Sequence, residues 1–261
     1  LGVAAQALKT MSRWSWLAVG IGAYIAFTLA TFPAGVALRW FAPPGVTFAG
    51  VAGTLWSGSA ATCTVQGFTV QALRWRLRPA SLLLGRVAAN VDARIPDGFV
   101  RGDVIASASS VRFSDLTGAT SLPALQSVLP VRGLRGQASV ALESLVLENG
   151  WPAVAVGQIK LGKLESLPLI PDGQGAYVPL GDYTVTLVEA PEGELAATFV
   201  DNGGPLEVQG TAKLDDRRNY SIDALVEPRA GAPEMLVKGL DIMAAEPDAE
   251  GRRRLNLTGS L

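Results

Sequence analysis

Apolar residues run without interruption near the start of the chain and alternate with polar residues along most of the remainder. The stretch from Trp14 to Phe32 carries no charged residue. As an α-helix it is about 28 Å long, close to the roughly 30 Å hydrocarbon core of a bilayer. This pattern predicts a transmembrane helix over residues 14–34. Because Lys9 and Arg13 precede it, the positive-inside rule predicts a cytoplasmic tail over residues 1–13, with the rest of the chain on the other side of the membrane.

A cleaved signal peptide is the alternative interpretation of this stretch. Its apolar core would span about 7–15 residues and end at a small-residue cleavage site. The core here is longer and no clear A-x-A site follows, which favours an anchor that stays in the mature protein. Small residues also recur at every fourth position of the anchor, which predicts a face for close packing with another membrane helix, unless general Ala and Gly abundance explains it. The residues of this face are Ala18, Gly22, Ala26 and Ala30.

The rest of the chain is predicted to be a linker over residues 35–45 and a β-rich domain over 46–261. The linker ends in two consecutive prolines and a glycine, which cannot continue a helix. Apolar and polar residues then alternate, for example from Leu206 to Leu214, which is typical of antiparallel strands with one buried face. The predicted strands are 47–55, 60–66, 68–77, 87–95, 99–107, 111–116, 137–147, 154–161, 183–188, 195–200, 206–214, 220–226 and 255–261. Short helices are predicted at 79–84, 123–129 and 233–242, each with a proline near its first turn.

A second uncharged stretch, from Trp40 to Leu73, raises the alternative of a second membrane span. Its many Ser, Thr, Gln and Gly residues alternate with apolar ones, a composition that a lipid-exposed helix tolerates poorly. We therefore predict strands here.

Composition and charge remove several classes of function. The 261 residues carry a formal net charge of −1, so no general basic field attracts nucleic acid. The chain has no histidine, which removes the commonest general base and most zinc sites. Its one cysteine, Cys63, lies between two threonines and is predicted to be a small buried strand residue. A Ser-Lys pair remains formally open through Lys160, Lys163 and Ser166, but the lysines fit the exposed face of a strand. We predict no enzyme activity, no metal site and no cofactor.

Four segments together resemble the type II secretion system protein N family. They are residues 42–60, with GTLWSG at 53–58; residues 72–86, with LRWRLRP at 73–79; residues 204–214, with GPLEVQG at 204–210; and residues 226–261, with VEPR at 226–229. GTLWSG followed by LRWRLRP is the specific part, and the order of the segments extends the resemblance over nearly the whole chain after the anchor. The residues that carry the resemblance, predicted to be mainly structural, are Gly53, Thr54, Leu55, Trp56, Gly58, Leu73, Trp75, Leu77, Pro79, Gly204, Pro205, Leu206, Gly210, Pro228 and Arg229.

The resemblance implies a non-catalytic, single-pass inner-membrane accessory component of the type II secretion system, with its β domain in the periplasm. Its implied partners are other secretion components, in the inner-membrane platform or the outer-membrane channel, together with inner-membrane lipids. A more distant similarity to AsmA-like proteins implies a curved, groove-forming sheet and an alternative role in binding or transferring lipid. A closed β-sandwich, in which the apolar faces of two sheets pair, is the alternative fold.

Overall fold

The computed structural model of the protein describes residues 13–42, 45–65, 68–126, 133–167, 177–191, 193–244 and 246–260. The predicted cytoplasmic tail, residues 1–13, lies outside these ranges except for its last residue.

All strands of the described ranges belong to one antiparallel sheet of 14 strands. From β3 onward each strand pairs with the next strand of the chain, while β1 and the short β2 both pair with β3. The strands are β1 Val46–Ala49, β2 Ala52–Gly53, β3 Ser57–Val65, β4 Phe68–Leu77, β5 Val87–Ile95, β6 Gly98–Ala106, β7 Ser110–Ser121, β8 Leu134–Glu148, β9 Trp151–Ser166, β10 Val178–Val188, β11 Glu194–Asp201, β12 Leu206–Asp215, β13 Asn219–Pro228 and β14 Arg253–Ser260. The mainly β, antiparallel prediction is confirmed. A closed sandwich would divide these strands between two sheets, and that alternative is wrong for the described residues.

The predicted strand 47–55 is interrupted, because Gly50 adopts a positive φ of 64° between β1 and β2. Its carbonyl accepts a hydrogen bond from the N–H of Ala61 at 3.2 Å, so the chain stays beside β3 across the break. The predicted strands in the uncharged stretch 40–73 are otherwise confirmed, as β1 to β4 occupy it.

Further irregularities occur inside the sheet. The register between β4 and β5 shifts between Gln71 and Arg74, where Ala72 has a φ of 47°. The pairing of β8 with β9 shifts at three places. Bulges of this kind bend a strand and increase its twist, which is the physical route by which a wide open sheet acquires curvature.

Four α-helices accompany the sheet: α1 Arg13–Ala30, α2 Ala34–Phe41, α3 Pro79–Leu82 and α4 Glu234–Met243. The last two confirm the predicted short helices at 79–84 and 233–242, and a 3₁₀ helix, Leu122–Leu125, lies at the start of the one predicted at 123–129, whose last three residues lie outside the described ranges. Helix α2 occupies most of the described part of the predicted linker 35–45, which is therefore helical rather than extended. Among the helices in the described part of the chain, none combines the length and the apolar character that crossing a bilayer requires.

Two helices pack near the two ends of the strand order. In α2, Ala34 and Ala37 are buried. Leu236 and Leu240 of α4 pack on a core cluster of Leu206, Ala224 and Val226, which belongs to β12 and β13 and leaves the β14 edge uncovered by this contact. Because each strand reverses the direction of the last, the turns alternate between two ends of the strands. We call the end where β3 begins, at Ser57, the α1 end, and the opposite end, where α4 follows β13, the α4 end.

Candidate functional site

The GTLWSG segment forms a tight turn between β2 and β3. The N–H of Thr54 donates to the Ser57 carbonyl at 3.0 Å, and the N–H of Ser57 donates to the Thr54 hydroxyl at 3.2 Å. Gly53 has a φ of 89°, and a Cβ added to it would lie 2.6 Å from the Ser57 carbonyl oxygen. The turn therefore needs glycine at this position, and its hydrogen bonds hold Leu55 and Trp56 at its tip.

The indole of Trp56 caps the last turn of α1. Its Nε1–H donates to the Leu29 carbonyl at 2.7 Å. In a continuous helix that carbonyl would accept from the N–H four residues later, but residue 33 is proline and has none. The N–H of Phe32 also donates to this carbonyl, but in a longer hydrogen bond of 3.4 Å. Pro33 therefore ends α1 and leaves an acceptor that Trp56 satisfies.

Backbone contacts extend this attachment beyond Trp56. The N–H of Leu55 donates to the Phe32 carbonyl at 2.8 Å, and Pro33 forms an isolated antiparallel bridge with Thr54. Helix α2 then starts at Ala34, with Pro33 at its N-cap. We call residues 29–37 together with 53–58 the helix–sheet junction. It joins α1 to the first strands through three hydrogen-bonded residues of the GTLWSG turn.

The LRWRLRP segment supports the junction from β4. Trp75 lies opposite Gly58, and its indole N–H donates to the Leu55 carbonyl at 3.1 Å. A Cβ on Gly58 would collide with the Trp75 ring, so glycine makes room for it. The N–H of Leu77 donates to the Trp56 carbonyl at 2.7 Å. Leu73 pairs with Ala60 further along β4, and Pro79 begins α3.

The two C-terminal segments meet around an ion pair at the α4 end. Arg229 Nη1 donates to Asp201 Oδ2 at 2.7 Å and to the carbonyls of Gly204 and Leu206 at 3.1 and 3.0 Å. Asp201 also accepts from the N–H of Val208 at 2.8 Å and of Gly203 at 3.1 Å. Its side chain is only 5% exposed. Burial disfavours the charged carboxylate, but these hydrogen bonds outweigh burial and lower the pKa of Asp201.

The other residues of these segments surround this ion pair. Leu206 pairs with Pro228 at the start of the β12–β13 ladder, and the Arg229 N–H donates to the Pro205 carbonyl at 2.8 Å. Gly204 packs against the backbone of β10, where a Cβ would lie 2.6 Å from the Leu180 carbonyl oxygen. Gly210 similarly leaves room beside Asp223, whose carbonyl oxygen would lie 2.6 Å from its Cβ. Both segments thus build the β11–β13 part of the sheet.

The two sets of resemblance residues lie at opposite ends of the strands and do not meet in one pocket. The predicted packing face Ala18, Gly22, Ala26 and Ala30 lies on α1, where its residues are exposed. Every other described side chain of α1 from Trp16 onward is exposed too.

A cleft of about 650 Å³ lies at the α4 end across β7 to β10. Ala138, Leu161 and Tyr183 line it, as do polar groups including Lys160. Burial raises the pKa of the Tyr183 phenol, and the nearby Asp201 carboxylate raises it further.

The three residues of the Ser-Lys alternative lie along β9, with Lys160 and Lys163 exposed. Cys63 is a buried strand residue, as predicted, and burial raises the pKa of its thiol. Within the described ranges no group of three or more Cys, Asp or Glu side chains is arranged to hold a metal ion.

Sequence analysis missed the partners of the most informative residues. Arg229 was named among the resemblance residues, but its partner Asp201 was not. Nothing in the sequence marks the Leu29 carbonyl, but Pro33 four residues later is the signal that could have identified an unpaired acceptor.

The family of the chain follows from its similarity to known proteins. The family model described as type II secretion system (T2SS), protein N, matches residues 44–256. The chain is similar to type II secretion system protein N of Aeromonas hydrophila, with 27% identity over 92% of this chain and 95% of that protein. It is also similar to the protein of that name from Vibrio cholerae serotype O1, with 28% identity over 94% of this chain and 99% of the relative. No solved structure matches significantly. The chain belongs to the type II secretion system protein N family.

Proposed function

We propose that this protein is a non-catalytic inner-membrane accessory component of the type II secretion system, which acts through protein–protein contacts in the export of folded periplasmic proteins. The observation that carries the proposal is the family match over residues 44–256, which covers the sheet from β1 into β14. In this proposal residues 14–34 attach the chain to the inner membrane and residues 46–261 lie in the periplasm.

The character of α1 supports the attachment. After Arg13 the helix carries no charge, and large apolar side chains such as Trp16, Ile21 and Phe27 are 58–67% exposed. A helix that is apolar on all sides needs either a protein core or a membrane around it. A periplasmic reporter enzyme fused after Ala42 tests the orientation. It should be active, and a fusion active only in the cytoplasm would contradict the proposed topology.

The edges of the sheet support a role in protein contacts. β14 pairs only with β13, so one side of its backbone is free to pair with an added strand among the described residues. A photo-crosslinking amino acid at Asn256, which is exposed on β14, should capture other secretion components in intact cells. The matched control is Lys160 on β9, an exposed strand position inside the sheet. Equal capture at both positions would contradict use of the edge.

The lipid-binding alternative is tested on the same protein. Native purification followed by mass spectrometry should find no stoichiometric lipid in the sheet if protein contacts are the function. Stoichiometric lipid that cross-links into the 650 Å³ cleft at Tyr183, with no crosslinks to secretion components, would favour the lipid-binding role instead.

The small face of α1 is proposed to pack against a membrane helix of a partner. Changing Gly22 and Ala26 to Leu should reduce helix association in an in-membrane reporter assay, because bulky side chains prevent close approach of the backbones. An unchanged signal would mean that the spacing of small residues has no role.

A further inference from the structure

The turn between β4 and β5 presents consecutive leucines to solvent. Leu82 is 42% exposed, Leu83 90% and Leu84 76%. Single exposed apolar residues are ordinary on protein surfaces, but a contiguous group at the tip of a turn marks a contact site. None of the three is needed for the core of the sheet in this conformation.

Hydrogen bonds hold this turn in a defined shape. The Ser81 hydroxyl donates to the Arg78 carbonyl at 2.6 Å and accepts from the N–H of Ala88 at 3.1 Å, so it joins the two sides of the turn. The Ser81 carbonyl accepts from the N–H groups of Leu84 and Arg86 at 3.0 and 3.1 Å. The leucines are therefore displayed by a pre-organised turn, which lowers the entropic cost of inserting them elsewhere.

Cationic side chains surround the leucines. Arg78 and Arg86 lie on the two sides of the turn and are exposed, and Arg76 lies exposed on β4 before them. Arg78 also contacts Asp103 at 2.8 Å. An apolar tip with a basic rim fits a surface that is apolar inside and anionic at its border, as a bilayer containing acidic lipids is.

The turn also lies at the α1 end of the sheet. Leu77, which enters it, donates to the Trp56 carbonyl, and the Trp56 indole donates to Leu29 in the last turn of α1. Two hydrogen-bonding steps thus connect the base of the turn to the helix that we propose enters the membrane. The turn and the C-terminal end of α1 therefore lie at the same end of the sheet, joined through Trp56.

We propose that Leu82, Leu83 and Leu84 insert into the headgroup–acyl boundary of the bilayer that holds α1, while Arg78 and Arg86 contact anionic lipid phosphates. This inference rests on the proposed attachment of α1 to the membrane. Insertion of the leucines gives the sheet a second point of membrane contact besides α1, and two such points fix the tilt of the sheet relative to the membrane.

Fluorescence quenching of the full chain in vesicles tests the inference. The single cysteine of the chain is first removed by Cys63→Ala. Three variants of this protein then each carry one fluorescently labelled cysteine, introduced by Leu83→Cys in the turn, Ile25→Cys in α1 or Lys238→Cys on α4. Lys238 is the matched control, because it is exposed but lies at the α4 end. The vesicles contain phosphatidylethanolamine and phosphatidylglycerol, with spin-labelled acyl chains as the quencher. Insertion to about 5–10 Å should quench the label at 83 at least about twofold more than the label at 238.

The outcomes separate this inference from the proposal on which it rests. Quenching at 25 and 83, but not at 238, supports both. Quenching at 25 alone, with the label at 83 accessible to aqueous iodide, overturns the insertion and assigns the leucines to a protein partner, while the attachment stands. Absence of quenching at 25 overturns the attachment. As a second variant, Leu82→Ser with Leu84→Ser should move the label at 83 out of the membrane, and unchanged quenching would show that the probe itself causes the insertion.

Discussion

Replacing Asp201 with asparagine removes one acceptor oxygen from a carboxylate that three donors contact. In the more favourable orientation of the amide, its oxygen still accepts from Arg229 and Gly203, and its NH₂ group then faces the N–H of Val208. An orphaned buried donor costs about 1–3 kcal/mol, and a hydrogen bond that loses its charge loses about 1 kcal/mol more. Because the Asp201 side chain is 5% exposed, we expect Asp201→Asn to lower the free energy of unfolding by about 3 kcal/mol.

The matched control is Asp223→Asn. Asp223 also pairs with an arginine, Arg254 of β14, but its side chain is 36% exposed and that of Arg254 is 64% exposed. Exposed ion pairs contribute little because water screens them and their side chains lose entropy. Pulse proteolysis of the full chain in detergent, over a urea series, measures both variants. If Asp201→Asn destabilises the protein no more than Asp223→Asn does, the buried carboxylate does not stabilise the β11–β13 region.

The pKa of Asp201 adds a test of pH dependence. Because the pKa is lowered in the folded protein, the carboxylate stabilises the fold at pH values above its unfolded pKa of about 3.9, and this contribution is lost as the pH falls through the folded pKa. The difference between the wild type and Asp201→Asn should thus be constant from pH 7 to about pH 5 and shrink below about pH 4. A difference that stays constant at low pH would refute the assignment of the effect to the charge.

Three further predictions concern the other half of the sheet. Trp56→Phe removes the indole donor to α1 and should increase protease cleavage next to that helix, whereas Trp151→Phe should not, because Trp151 begins β9, away from the junction. Gly58→Ala should lower the urea midpoint because its methyl group meets the Trp75 ring, while Gly20→Ala, with open space around it, should leave the midpoint unchanged. The Cys63 thiol, whose pKa burial raises, should react with iodoacetamide at pH 8 much more slowly in the folded protein than in urea, and equal rates would contradict its burial.

Strand positions were predictable from sequence where residues of one face are apolar and turn residues mark both ends. The predicted bounds of β4 and β5 agree with the structure, and the alternation from Leu206 to Leu214 matches the observed burial of β12. The extents of β8 and β9 were underestimated. Gly136 marked the predicted start of β8 at residue 137, but in the structure it adopts a positive φ at a bulge inside this long strand.

The contacts of the helix–sheet junction were not predictable in the same way. GTLWSG was identified as a specific segment, but its Trp56 donates to the backbone carbonyl of Leu29. Every residue has a backbone carbonyl, so the sequence does not mark which one accepts this hydrogen bond. The Asp201–Arg229 pair joins residues 28 positions apart. Neither local propensity nor alternation identifies which of many charged residues such an arginine contacts, because the pairing depends on the register of three strands.

The pairing of each strand with its predecessor has a consequence for how the protein folds. From β3 to β14 the sheet contains no pairing that must wait for a distant part of the chain, so its contacts are close in sequence for an all-β protein. Domains with such low contact order fold faster than Greek-key sandwiches, in which loops must close before strands can pair. The chain can therefore add strands in order from its N-terminal side as it is made. During this growth the newest strand always presents an unpaired edge to the strand that follows it.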